Sequence, residues 1–94
     1  MNNIYLVSQD INNDYDTYDS MVVIAKNEDE ARKTNPCGYY FYDEEWIDII
    51  PNGIVTKEHG DQWVAAEDIN KLKVRLIGTT ENKYGVVLKS FNAG

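Results

Sequence analysis

The sequence predicts an α+β domain: a small antiparallel sheet of four to five strands with one short α-helix packed on it. Three observations carry this reading. Short runs rich in β-branched and aromatic residues recur at 4–9, 21–26, 73–79 and 84–91. Only the segment opening Asn27-Glu28-Asp29-Glu30 has clear helix-start chemistry. At 94 residues the chain has room for one core, and no linker or repeat divides it, so 1–94 reads as a single domain.

Residues 4–9 form the first expected strand, and Asp10 to Ser20 a polar loop too hydrophilic for a core strand. Met21 to Lys26 is almost continuously apolar, the pattern of a central strand covered on both faces. The two strands are expected to pair antiparallel across the loop. Asn27 then caps a helix over 28–34, its first turn acidic, Arg32 and Lys33 near its end, and Asn35-Pro36 stopping it. Tyr39 to Tyr42 suits a strand, and Glu44 to Ile50 either a helical turn or a second strand. Pro51-Asn52-Gly53 is a turn. Gln62 to Ala66 reads as a short strand with a turn at Glu67-Asp68. Lys73–Thr79 and Tyr84–Phe91 read as a closing hairpin, with Val74 and Leu76 on one face and Val86 and Leu88 on one face.

Composition narrows the function. Hydrophobic residues at 43% speak against a disordered chain. No apolar run is long enough for a membrane helix, so no membrane partner is expected. The start Met1-Asn2-Asn3-Ile4 has neither region of a signal peptide, and Cys37 is a lone cysteine, which together predict a cytoplasmic protein. The net charge of −7 is unevenly divided: residues 1–50 hold eleven acids and three bases, a balance of −8, and residues 51–94 a balance of +1. A negative field of this kind repels nucleic acid and attracts basic surfaces, although acidity also serves plain solubility.

Several constellations bear on chemistry. Asp10, Asn12, Asp14 and Asp16 match the alternate ligands of a calcium loop, but Tyr15 stands where glycine is required and Met21 where a bidentate glutamate belongs. His59 and Cys37 form no recognised catalytic or zinc pattern, and no phosphate loop is present, so neither an enzyme nor a cofactor or metal is expected. Lys71, Lys73 and Arg75 alternate onto one face and are expected to pair with nearby acids rather than bind nucleic acid. Two acidic segments remain as partner-binding candidates. Asp14, Tyr15, Asp16, Tyr18 and Asp19 combine carboxylates with flat aromatic area, with Asp14 and Asp16 about 6.5 Å apart if extended. Asp43, Glu44 and Glu45 surround Trp46, which is either a core anchor or a contact hot spot.

The opening strand with Asn12-Asn13-Asp14-Tyr15-Asp16-Thr17-Tyr18-Asp19-Ser20, and the closing Val74-Arg75-Leu76-Ile77-Gly78 and Gly85 to Gly94, resemble small phage and prophage proteins of unassigned function. The likeness covers roughly 4–36 and 62–94, leaving 37–61 as a variable insertion. It implies a phage accessory protein, a class that includes anti-CRISPR inhibitors imitating nucleic acid. The expected function is therefore a non-enzymatic inhibitor in the host cytoplasm. It would bind a host protein or nucleoprotein complex with a basic surface, with no direct contact to nucleic acid. The alternative is a small phage structural or assembly-associated protein acting through homo-oligomeric sheet-edge contacts.

Overall fold

The structure is a computed structural model that describes residues 1–12, 17–49, 53, 55–58 and 62–92. The two apolar runs near the N-terminus form its centre. Strand β1 (Asn2–Ser8) pairs antiparallel with β2 (Thr17–Ala25), in register from Asn3↔Ala25 to Ser8↔Ser20. β2 begins four residues before Met21, so Tyr18, Asp19 and Ser20 belong to a strand and not to the expected loop. The buried Gln9 explains this early start. Its backbone N–H donates to the Asp19 carbonyl at 3.0 Å and its Nε2 to the Tyr18 carbonyl at 2.8 Å, which carries pairing past Ser8.

Helix α1 (Glu28–Arg32) follows β2, with the Asn27 side chain accepting from the Glu30 N–H as its capping chemistry predicts. It is two residues shorter than expected and buries Ala31 against the sheet. A second sheet forms within residues 37–69. β3 (Tyr40–Tyr42), β4 (Glu45–Ile49) and β5 (Val55–Glu58) pair antiparallel in that order, so the segment after Glu44 is a strand and not a helical turn, with Ile50 outside the described residues. The expected strand at Gln62–Ala66 is absent, and the turn at Glu67-Asp68 lies inside a 3-10 helix at Ala66–Lys71. Trp63 and Val64 point into the core, which sets aside strand pairing there.

The last two strands, β6 (Lys73–Thr80) and β7 (Gly85–Asn92), do not form the expected hairpin. Sheet order is β6-β1-β2-β7, so they occupy opposite edges. Their link, 81–84, must cross three strand spacings, about 14 Å, which five peptide units can span. Asn2 Nδ2 donates to the Asn82 carbonyl at 2.7 Å where the link passes β1. The link lacks the Asn-Gly type of pair that a two-residue hairpin favours. Placing the charged or more polar strands at the edges keeps the doubly apolar β1 and β2 central. A bulge at Val87 further separates Val86, opposite Val23, from Leu88, opposite Val22, so the two lie on opposite faces. Val74 and Leu76 do share a face, opposite Val7 and Tyr5.

One core joins the layers. Tyr5, Val7, Met21, Val23 and Ala25 line one face of the four-stranded sheet and pack with Ala31, Trp46, Trp63, Val64, Ile69 and Leu72. Arg32 ties the far side, donating from Nη1 to the carbonyls of Ile69 (3.1 Å) and Leu72 (2.6 Å) while Nη2 reaches Glu28 at 2.9 Å. No described helix is long and apolar enough to cross a membrane.

Candidate interaction site at the acidic hairpin

Tyr40-Phe41-Tyr42 alternates, which in a strand puts Phe41 on one face and the tyrosines on the other. Phe41 turns inward and meets Trp46 edge-on, ring centroids 5.4 Å apart at 79°. Tyr40 and Tyr42 stay exposed, at 60% and 70%. Trp46 is 1% exposed and its Nε1 donates to the Val64 carbonyl at 2.9 Å, so it is a core anchor and not a contact hot spot.

The register Tyr42↔Glu45 leaves Asp43-Glu44 as a two-residue turn. Both residues are in the left-handed region, φ 51° for Asp43 and 61° for Glu44. That is the type I′ geometry that matches strand twist, normally filled by Asn or Asp followed by Gly. Asp43 fits its place, while Glu44 takes the glycine position at a conformational cost that glycine would avoid. Both side chains are exposed, and neither pairs with a base among the described residues. Asp43, Glu44 and Glu45 border an open groove whose far wall is the 3-10 helix, which adds Glu67 and Asn70. Glu67 was not among the expected site residues. It lies 22 positions beyond Glu45, and only the packing of the 3-10 helix against β4 brings the two together.

The other candidate segment divides. Asp14, Tyr15 and Asp16 lie outside the described residues, as does His59. Asp19 is an exposed bulge residue and accepts from Ser20 Oγ at 3.0 Å. Tyr18 is half-buried, packed on the core, with Lys89 Nζ 5.1 Å from its ring centre. Neither lines the groove beside Asp43. The loop between β1 and β2 is anchored by groups that the calcium frame would need. Asp10 binds Lys73 at 3.2 Å, and Asn12 Nδ2 donates to the Trp63 carbonyl at 3.1 Å. Among the described residues no three potential ligands cluster for a metal. Lys71 pairs with Asp68 at 3.1 Å, so two of the three clustered bases meet acids as expected.

Cys37 is half-buried, its Sγ 3.4 Å from Gln62 Oε1. Burial pushes its thiol up from the ordinary value, with the Lys89 ammonium pulling weakly the other way. A thiol held protonated is a poor nucleophile.

No family model, no curated protein and no solved structure matches this chain.

Proposed function

We propose that the protein is a non-enzymatic binding protein whose acidic hairpin occupies a basic, nucleic-acid-binding surface on a host defence complex, an inhibitor of the anti-CRISPR type. The observation that carries the reading is the Asp43-Glu44 turn. Two exposed carboxylates are presented at its tip, Glu44 at a positive φ where glycine would be more stable, with exposed Tyr40 and Tyr42 beside them. Carboxylates steer the encounter with lysine and arginine, and the tyrosines supply rigid contact area that desolvates cheaply. Glu45 and Glu67 extend the negative field along the groove, and Asp19 belongs to a second acidic segment of the same chain. The phage assignment rests on the resemblance of the two chain ends; the acidity supplies the target chemistry.

A plasmid-interference assay tests it. Co-expression of the wild-type protein should protect a targeted plasmid, and the double variant Asp43→Lys, Glu44→Lys should lose protection while remaining folded. Protection by the wild type should also weaken in vitro as salt is raised, since exposed charges are screened over about 8–10 Å. Undiminished protection by the charge-reversed protein would sink the assignment.

A further inference from the structure

The central strands are apolar on alternate residues of both faces, yet the core described above covers only one. Opposite that core, the register brings Ile4 beside Ile24, Leu6 beside Val22, and Val22 beside Leu88. Ile4 reaches across to β6, where a Cβ on Gly78 would sit 3.7 Å from its Cδ1. Ile24 is buried by its neighbours; Ile4, Leu6 and Val22 are half-buried, and Leu88 is 66% exposed. None of these five belongs to the core cluster. Around them the paired positions are Ser8, Ser20 and Ser90, with Lys73 and Arg75 along β6. In a chain with 16 acids, these cross-strand positions carry no carboxylate, and the rim meets one only where Asp10 pairs with Lys73 at 3.2 Å. An apolar centre with a small polar rim is the anatomy of a protein interface.

We propose that this outer face is a homodimer interface, on which a second copy of the chain stacks sheet against sheet. Two arguments select a second copy, and the charge placement permits it. A flat sheet face is best matched by another flat sheet face, packed about 10 Å away with strands nearly aligned, and the chain itself offers one. Four strands of seven to nine residues give a footprint of about 19 by 25 Å. With side-chain relief that is roughly 700 Å² of accessible surface, close to the about 800 Å² per partner of a stable interface. Either two-fold keeps Lys73 and Arg75 off their own counterparts: along the strands they face Ser90 and Leu88, and across them Thr80 and Gly78. The acidic hairpin is on the sheet that packs against the opposite, core-lining face, so dimerisation leaves both hairpins outside and makes the particle bivalent.

Analytical ultracentrifugation over a concentration series decides the matter. The wild-type protein should sediment at twice 10.8 kDa, and its Tm should rise with concentration. Leu88→Arg and Ser90→Lys should each give a monomer with an unchanged circular dichroism spectrum, whereas Tyr42→Arg, on the other sheet, should remain dimeric. The serine variant is exposed at the rim and decides the question if the leucine variant does not fold. A wild-type monomer overturns the proposal, whether its face stays bare or is covered by a different protein. A dimer that survives both substitutions overturns it as well, and moves the contact to a sheet edge. Neither result bears on the acidic hairpin, which the interference assay tests separately.

Discussion

Trp46 donates its indole N–H to the Val64 carbonyl at 2.9 Å, both groups buried, and this bond fastens the three-stranded sheet to the segment entering the 3-10 helix. Because that helix forms the second wall of the acidic groove, the bond positions Glu67 against Asp43, Glu44 and Glu45.

Trp46→Phe should retain most of the packing and lose the donor, leaving the Val64 carbonyl unsatisfied. A destabilisation of about 1–3 kcal/mol is expected. Trp46→Ala adds a cavity and should cost about 3–5 kcal/mol. Urea titration followed by circular dichroism measures both, and a Phe variant as stable as the parent would refute the role given to the bond.

Gln9 is 6% exposed and saturates its amide, donating to the carbonyls of Asn12 and Tyr18 and accepting from the N–H groups of Ile11 and Asn12. Gln9→Ala should destabilise by about 2–3 kcal/mol, since four backbone groups lose their partner at once. Gln9→Glu keeps the acceptors and sets a carboxylate against two carbonyls, which raises its folded pKa. Its stability should therefore be greatest in acid and fall as pH rises through that raised pKa. Urea midpoints for both variants at pH 4 and pH 7 check the sign.

Replacing the turn pair, Asp43→Asn with Glu44→Gly, supplies residues that accept positive φ readily. The fold should gain about 0.5–1 kcal/mol and the Tm should rise. The same substitution should weaken protection in the interference assay. Higher stability together with full activity would separate the turn geometry from the proposed function.

Cys37 should react slowly with a thiol reagent at pH 8 in the folded protein and at the ordinary rate in denaturant, because burial disfavours the thiolate. The linked effect has a definite sign. The unfolded thiol loses its proton first, so this group lowers stability as pH rises through and beyond the ordinary thiol value. Equal labelling rates in the two states would contradict the half-buried placement.

The sequence by itself determined what depends on neighbours in the chain. Apolar runs placed β1 and the core of β2, Asn27 capped α1, and the aromatic run ending at Tyr42 marked β3, although only packing on Trp46 chose Phe41 as its inward ring. It also located the acid cluster at 43–45. Tertiary structure alone decided what depends on pairing between distant residues. Gln9 extends β2 back to Thr17 by bonding across the loop, which no local propensity signals. β6 and β7 part to opposite edges because the doubly apolar strands take the centre, although a short link between two strands reads locally as a hairpin. Glu67 joins the acidic groove only because Trp46 and Val64 dock β4 against the 3-10 helix. The single-sided covering of β2, whose sequence calls for two covered faces, is visible only once the sheet is assembled. Hydrogen bonds and burial between remote segments have no local pattern, so the residues named most elements and the β1–β2 pairing but not the partners of β6, β7 and the 3-10 helix.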